Sequence, residues 1–176
     1  MNSKIFSQEL KIPQKRVAVL IGTKGVTKKL LERKTKTKIG ISKLGDVVIS
    51  SNENINCFNA VPIITAVGRG FNPEIALLLL DENFIFEMIS MKDYARNEKD
   101  MARMRSRIIG SGGKARQMFE TLTGTSISVY GKTVAIIGNL EKVILAKKAI
   151  QKLLKGSPHG NVYKYIEREQ KKYFDV

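Results

Sequence analysis

The sequence lacks the residues on which several classes of protein depend. Among 176 residues it has one cysteine, Cys57, which excludes an internal disulfide and predicts a reducing, cytoplasmic environment. With a single histidine, His159, a cysteine–histidine metal cluster is impossible. The longest apolar run, residues 75–80, is far shorter than the roughly 18 residues of a membrane span, and the N-terminus has no signal-peptide core. We therefore expect a globular protein with no membrane segment, and Cys57 as a small buried residue.

Residues for catalysis or for a cofactor are equally scarce. No Gly-x-x-x-x-Gly-Lys-Ser/Thr loop for a nucleoside triphosphate is present. Asp81 and Glu82 follow the end of a predicted helix, so we interpret them as an exposed turn rather than as metal ligands. His159 stands between Pro158 and Gly160, which favours a structured turn or a docking point over a catalytic base. The sequence therefore predicts neither an enzyme nor a bound cofactor or metal.

Acidic residues are also few, because 16 Asp and Glu stand against 31 Lys and Arg, for a net charge of +15. Residues 11–43 hold eleven basic residues and one acid, and residues 96–116 hold seven and two. Residues 44–91 carry six acids and one base. Basic blocks of this kind bind polyanions by releasing counterions. A solvated charged face or an anionic membrane would suit the same charge, but neither requires the glycine loops found in both blocks.

Two glycine-bracketed loops, residues 22–25 (Gly-Thr-Lys-Gly) and residues 110–113 (Gly-Ser-Gly-Gly), lie inside the two basic blocks. Each follows an apolar pair, opens a helix-like run and is followed by alternating strands. A Gly-x-x-Gly turn between two helices lets the backbone approach a phosphodiester closely, because glycine has no Cβ. The second helix also directs its free N–H groups and positive dipole end at the phosphates. Two such loops in the same context predict binding of a nucleic-acid backbone.

The loops belong to an internal repeat. With an offset of 88, residues 20–41 align with residues 108–129, and with an offset of 86, residues 45–70 align with residues 131–156. The change of offset falls between two paired strands, where a hairpin loop can shorten. We interpret the repeat as two tandem domains. Identical residues in the alignment include the pairs Glu32 and Glu120, Thr35 and Thr123, and Ile39 and Ile127.

Apolar spacing and turn residues predict the order β-α-α-β-β-α in each repeat, with the glycine loop between the first two helices. The first helix of the second repeat is expected to be longer, or to be preceded by another helical turn, since nine extra residues precede its loop. Asn72 and Pro73 are the cap and first residue of a short helix that joins the repeats. The predicted boundaries are 1–71 for the first domain, 72–82 for the linker helix, 83–156 for the second domain, and 157–176 for a partly helical tail.

This element order is that of a type I KH domain, and residues 20–25 and 107–114 look like KH signatures. The linker 66–73, the run 77–81 and the tail 157–163 are more particular. Together they resemble the archaeal tandem KH-domain ribosome-assembly proteins, relatives of the eukaryotic partner-of-Nob-one family, over nearly the whole chain. The resemblance implies an α+β fold of two tandem type I KH domains, each a three-stranded sheet covered by helices.

The resemblance also implies a function in small-subunit ribosome biogenesis. A member of this family holds the 3′ end of the small-subunit rRNA. Its associates include the PIN-domain endonuclease that trims that end and the adenosine dimethyltransferase that acts near it. A third associate is the alpha subunit of translation initiation factor two. These partners follow from the resemblance alone.

In a KH module the loop and the following helix grip the backbone of about four nucleotides, while the neighbouring strand faces the bases. The second loop departs from the usual pattern, since Gly112 stands where KH loops place a basic or polar residue. Its phosphate contact would then depend on backbone N–H groups, Lys114 and Arg116. The predicted RNA-binding residues are Gly22, Thr23, Lys24, Gly25, Lys28, Lys29, Lys38, Ile39, Arg69, Arg103, Arg107, Gly110, Ser111, Gly112, Gly113, Lys114, Arg116 and Ile127.

Three of these residues have a second interpretation. Ile39 and Ile127 lie on the strand beside the groove, and a role in the core is the favoured alternative for both. Arg69 either contacts RNA at the domain junction or belongs to a tight turn that packs the modules.

Other functions are compatible with a basic KH protein. An RNA-turnover component of the exosome type would normally add an OB-like barrel, for which the sequence has no room. A role in translation initiation remains open. A ribonuclease acting alone is disfavoured, because no carboxylate or histidine constellation is present.

Overall fold

Each repeat of the sequence folds around one three-stranded antiparallel sheet. The computed structural model describes residues 4–174, and the chain divides into two compact units, one ending at Glu82 and the other beginning at Asn83. The strand orders are β1-β3-β2 in the first unit and β4-β6-β5 in the second. The predicted α+β class and the order β-α-α-β-β-α are confirmed in both units. No helix among the described residues is long and apolar enough to cross a membrane.

The first unit packs three helices on one face of its sheet. In β3, the inward Val47 and Ile49 alternate with more exposed residues, as in a strand with one covered face. Cys57 is fully buried, as predicted, and its Sγ lies 3.5 Å from the Phe6 carbonyl oxygen. The elements are β1 (Phe6–Lys11), α1 (Gln14–Ile21), α2 (Val26–Thr35), β2 (Lys38–Ile41), β3 (Asp46–Ser51), α3 (Asn54–Gly68) and α4 (Pro73–Ala76).

The second unit repeats this arrangement with a longer first helix. That helix has 12 residues where α1 has 8, and its Met101, Met104 and Ile108 are buried. A 3₁₀ turn at Met91–Asp93 takes up part of the additional sequence. The elements are β4 (Phe84–Ser90), α5 (Glu98–Ile109), α6 (Lys114–Thr123), β5 (Ser126–Tyr130), β6 (Thr133–Asn139), α7 (Leu140–Leu154) and α8 (His159–Phe174).

Two segments outside the repeats lie with the units beside them. Residues 72–82, predicted as a linker helix, form α4 and a 3₁₀ turn at Leu77–Leu80, and they group with the first unit. In the segment predicted as a tail, α8 buries Val162 and Ile166 in the core of the second unit. The helix α8 packs against both α6 and α7. It therefore supports α6, the helix that follows the second glycine loop.

Candidate nucleic-acid interface

The first glycine loop turns sharply between α1 and α2, and its two glycines are needed for different reasons. At Gly22 φ is +72°, and a Cβ there would come within 2.2 Å of the Thr27 Oγ1. At Gly25 φ is +75°, but a Cβ would meet nothing within 4 Å. Gly22 is therefore fixed by close packing on α2, whereas Gly25 is fixed by its left-handed backbone alone.

The second loop has nearly the same backbone. Gly110 has φ +71° and ψ 176°, compared with +72° and 170° for Gly22. A Cβ on Gly110 would come within 2.6 Å of the Ala115 Cβ, which is the repeat counterpart of the Thr27 contact. The two loops are thus one structure built twice.

The third loop position explains the extra glycine of the second loop. Lys24 has φ +53° and ψ +25°, and Gly112 has φ +57° and ψ +24°, so both lie in the left-handed region. A lysine is strained there by about 1 kcal/mol, whereas glycine is not. Gly112 therefore keeps the loop shape and removes a cation from its tip.

The helix that follows each loop begins without a cap. Among the described residues, no side chain caps the N-terminus of α2 or α6, and neither first turn contains an acid. The first N–H of each helix donates within the loop, from Val26 to the Thr23 carbonyl and from Lys114 to the Ser111 carbonyl. The positive end of each helix dipole lies beside its loop. An anionic group held against a glycine loop would be stabilised by that positive dipole end.

The predicted cations around the loops divide into two kinds. Lys24, Lys29 and Lys114 are exposed, as is Lys38 on β2. Lys28 and its repeat counterpart Arg116 form i,i+4 ion pairs with the glutamates of their own helices, at 3.8 Å and 3.4 Å respectively. Both remain partly exposed, and ion pairs of this kind are weak, so neither is prevented from turning to a phosphate.

Glu32 and Glu120, which are identical in the repeat alignment, have the same structural role in their units. Glu32 accepts a hydrogen bond from the Ile39 N–H at 2.8 Å, and Glu120 accepts one from the Ile127 N–H at the same distance. Each glutamate thereby ties the second helix of its unit to the following strand. The side chains of Ile39 and Ile127 are each 2% exposed, so both belong to the core and neither presents its side chain to a base.

Arg107, predicted to contact phosphate, also has a structural role between α5 and α7. Its guanidinium donates to the carbonyl oxygens of Leu153 at 2.8 Å and Ser157 at 2.7 Å, at the carboxyl end of α7. Arg103, one turn earlier, pairs with Asp100 at 2.5 Å. Both arginines point along the α7 side of α5, because residues four apart share a helix face. Arg107 therefore links α5 to the end of α7, and its phosphate contact stays a prediction.

The first unit contains the same fastening, which the sequence analysis missed. Arg16 donates to the carbonyl oxygens of Val67 and Phe71, both at 2.8 Å, at the end of α3. Val67 and Phe71 align with Leu153 and Ser157 at the offset of 86. Only the alignment of the residues whose carbonyls accept these bonds could have indicated the equivalence, because Arg16 and Arg107 do not align with each other.

A second missed residue is Arg105, on another face of α5. Its Nη2 donates to the Gly131 carbonyl oxygen at 2.7 Å, in the turn between β5 and β6. Lys132, in that same turn, forms an ion pair with Glu98 of α5. Arg105 and Lys132 thus lie on the side of α5 that faces the strands, where a KH module receives bases. From the sequence, Arg105 was identified only as one member of the basic block 96–116.

His159 and Arg69 are placed near helix ends. The His159 Nε2 lies 2.7 Å from the Arg107 carbonyl oxygen and must donate to it, because a carbonyl only accepts. His159 thus docks the start of α8 on the last turn of α5. The neighbouring Tyr163 packs edge-on against Phe119 at 5.3 Å, and burial raises the pKa of its hydroxyl. Arg69 follows α3, where its N–H caps the helix, and its RNA role stays a prediction.

Comparison with known proteins places both units in one family. Residues 7–65 match the KH domain, and residues 85–171 match the eukaryotic type KH-domain (KH-domain type I). A KH domain-containing protein of Methanocaldococcus jannaschii is 44% identical over 93% of this chain and 74% of its own length.

Two further relatives extend the comparison. A chain in the crystal structure of the a/eIF2alpha-aDim2p-rRNA complex from Pyrococcus horikoshii is 47% identical, with a TM-score of 0.89 and 96% of each chain covered. The pre-rRNA-processing protein pno1 of Schizosaccharomyces pombe is 34% identical over 56% of this chain, and the match spans only 41% of that longer protein. The chain therefore belongs to the tandem KH-domain family that includes archaeal aDim2p and eukaryotic pno1.

Proposed function

We propose that this protein is an RNA-binding factor of small-subunit ribosome biogenesis that grips single-stranded rRNA with both glycine loops. One observation carries the proposal. Both units combine a left-handed glycine loop, an uncapped helix start and exposed cations in the same arrangement. Such a combination favours a phosphodiester backbone over other anions, because it places the positive end of a helix dipole and exposed cations beside backbone that a strand can approach closely.

The proposed contact is made mainly by backbone. The missing Cβ atoms at the loop glycines allow the strand to approach, and the first turns of α2 and α6 donate to phosphates. Lys24 and Lys29 neutralise charge in the first unit, and Lys114 does so in the second. Two modules on one strand would raise the effective concentration of the second contact.

The ligand we propose is the single-stranded 3′ end of the small-subunit rRNA. Two relatives support the rRNA part of this proposal, since one is named for an rRNA complex and another as a pre-rRNA-processing protein. The 3′-end assignment rests on the family resemblance. It predicts that part of the affinity comes from bases and does not depend on ionic strength.

Competition between two oligonucleotides tests this assignment. The native 3′-end sequence and a scrambled sequence of equal length compete for the full chain at moderate and high salt, followed by fluorescence anisotropy. Charge alone predicts equal competition and a steep loss of affinity with salt. A preference for the native sequence that persists or widens with salt supports the proposal, and equal competition at every salt concentration contradicts it.

Protein partners form a second part of the proposal. The a/eIF2alpha-aDim2p-rRNA complex supports the alpha subunit of translation initiation factor two as a partner of this chain. The PIN-domain endonuclease and the adenosine dimethyltransferase follow from the family resemblance. Titration calorimetry with each purified partner, with and without the rRNA oligonucleotide, tests the three separately.

We also propose that the protein acts by binding and not by catalysis. Its single histidine is engaged with the Arg107 carbonyl, and KH domains are RNA-binding modules. Labelled rRNA fragments should therefore stay intact with the purified protein, with or without divalent metal. Cleavage that a point substitution abolishes would contradict this proposal.

A further inference from the structure

A second basic cleft lies on the second unit, between one face of α5 and the carboxyl end of α7. Its volume is about 1140 Å³, which is enough for a segment of chain rather than a single ion. Five basic and two acidic side chains line it. We call it the α5–α7 cleft, and its basic residues are Arg96, Lys99, Arg103, Arg107 and Lys155.

The α5–α7 cleft is separate from the side of α5 where a KH module receives bases. Lys99, Arg103 and Arg107 are spaced by four residues, so they form one stripe along α5. Arg105 points elsewhere, since its guanidinium reaches the Gly131 carbonyl in the turn between β5 and β6. The helix thus presents basic side chains on two different faces.

Positive charge dominates the cleft because one of its acids is turned into the protein. The Asp100 side chain accepts from the Arg96 N–H and pairs with Arg103, and it is 16% exposed, compared with 71% for Arg103. These bonds hold the pKa of Asp100 below its usual range. Lys99 and Lys155 are exposed and form no ion pair with any residue in the described part of the chain.

The remaining walls suit a phosphate backbone better than bases. The carboxyl end of α7 would repel a phosphate, but Arg107 is bonded to its last carbonyls and offsets that charge. Met104 and Leu154 line the floor and are almost fully buried. Tyr94, the one aromatic residue in the lining, packs against the core and is half-buried. The cleft therefore offers cations without a free ring on which a base could stack.

We propose that the α5–α7 cleft binds the sugar–phosphate backbone of an RNA segment adjoining the one held by the second glycine loop, without reading its sequence. This inference rests on the proposed function. Arg107 lies three residues before Gly110, so the cleft and the loop meet at the last turn of α5. The first unit lacks the corresponding part of the helix, since α1 is four residues shorter and has no counterpart of the first turn of α5.

Two RNA lengths and two matched variants of the full chain test the proposal. The short RNA is the preferred oligonucleotide trimmed to the few nucleotides that the KH modules cover, and the long RNA carries about ten additional flanking nucleotides. K99Q/K155Q removes two charges from the cleft, and K164Q/K171Q removes two charges from exposed positions of α8. Affinity is measured by anisotropy over a series of salt concentrations, with circular dichroism as a check of folding.

On the long RNA we expect K99Q/K155Q to bind about tenfold more weakly at low salt, with the slope of log affinity against log salt reduced by about 2. On the short RNA it should equal the wild type, and K164Q/K171Q should equal the wild type on both. If the two variants bind the long RNA equally well, the proposal is wrong. That result is expected if the cleft binds an acidic protein partner instead of RNA. An equal loss on both RNAs would assign the lysines to the groove and overturn it too. Failure of the wild type to bind either RNA would instead contradict the proposed function.

Discussion

The two units build the same loop with different residues at its third position. Lys24 and Gly112 share left-handed dihedral angles within a few degrees, although one is a strained lysine and the other an unstrained glycine. The first unit thus accepts strain and carries a cation at the tip of its loop. The second unit avoids the strain and leaves its nearest exposed cation at Lys114, in the helix. Loop shape is shared through the backbone, whereas loop charge differs between the units.

The arginines that link the first helix of each unit to the end of α3 or α7 also stand at different positions in the two units. Arg16 and Arg107 bond to equivalent carbonyls at the ends of α3 and α7, but the repeat alignment puts Met104 opposite Arg16 and Val19 opposite Arg107. The same contact is therefore made from neighbouring turns of the first helix. The carbonyl groups that accept the bonds are equivalent in the two units, whereas the arginines that donate them are not. An alignment of the arginines alone would therefore miss the shared contact.

The units also differ in what supports them. In the second unit, α8 adds Val162 and Ile166 to the core and docks His159 beside the loop. In the first unit, the chain after α3 instead buries Phe71 and Ala76 before and within the short α4. We expect the second loop to have the more rigid base.

Acidic substitutions in the loops should have the largest effect on binding. T23D/K24D and S111D/G112D each place negative charge against a phosphate, and each should lower RNA affinity on the order of 100-fold at low salt. The first variant should lose more, because it also removes a cation. Anisotropy with folded protein measures both. N161D/K164D, on the exposed part of α8, matches the charge change of the first variant and should bind normally; if neither loop variant loses affinity, the clamp is wrong.

The two glycines of a loop should differ in their contribution to stability. G110A forces a Cβ against Ala115 and should lower the free energy of unfolding by about 2 kcal/mol or more, whereas G113A adds only left-handed strain of about 1 kcal/mol. All five tyrosines follow residue 83, so tyrosine fluorescence during urea unfolding reports on the second unit alone. Equal losses for the two variants would contradict the close-packing argument.

Removal of the fastening arginine should destabilise the unit that contains it. R107A leaves two carbonyls at the end of α7 without a charged donor and should lower the free energy of unfolding by about 1.5 kcal/mol or more. R16A should do the same in the first unit, where amide hydrogen exchange in α3 measures it. A stable R107A protein with weakened RNA binding would show that Arg107 contacts phosphate after all.

Exchanging the residues at the third loop position, Lys24 and Gly112, should move both the positive charge and the backbone strain from the first loop to the second. G112K should cost the second unit about 1 kcal/mol and raise its salt dependence by about one unit of slope, since Lys24 already adopts these angles. K24G should relieve strain in the first unit and reduce the slope by a similar amount. Changes of slope in the same direction for both variants would refute the comparison of the loops.

The smallest expected effect is a pH dependence of the second unit. The Arg96 N–H and the Arg103 guanidinium lower the pKa of Asp100. Because the folded pKa lies below the unfolded one, this stabilisation is present above the ordinary pKa of Asp100 and is lost as pH falls through the folded value. D100N should therefore be less stable at neutral pH and lose less stability in acid. The first unit has no acid in the first turn of α1, so its stability should not change.

Much of the fold followed from local pattern. The two glycine loops, the period of the apolar residues and the Asn72-Pro73 pair predicted the order of elements, and the structure confirms that order in both units. The burial of Cys57 also followed from the sequence, because a free cysteine is among the residues most often buried. The short helix before β4 was predicted in one piece, but its second half is a 3₁₀ turn.

The site was less predictable than the fold. Positive charge near the loops suggested phosphate contacts for Arg103 and Arg107, but a sequence does not reveal which carbonyls an arginine will reach across 46 or 50 residues. Likewise, Ile39 and Ile127 repeat because they fill the core and not because they face a ligand. A repeated residue such as Ile39 signals a repeated environment without saying whether that environment is solvent or core, and a basic residue near a loop signals charge without saying what it contacts.

The sequence by itself determined the repeat, the loop positions, the element order and the excess of charge, because these depend on residue type and local spacing. Only the tertiary structure decided which groups Arg105 and Arg107 reach, because that depends on where the end of α7 and the turn between β5 and β6 come to lie. It also decided that α8 belongs to the core and that a basic cleft opens beside α7. Those features arise from packing between segments far apart in the chain, which no local pattern encodes.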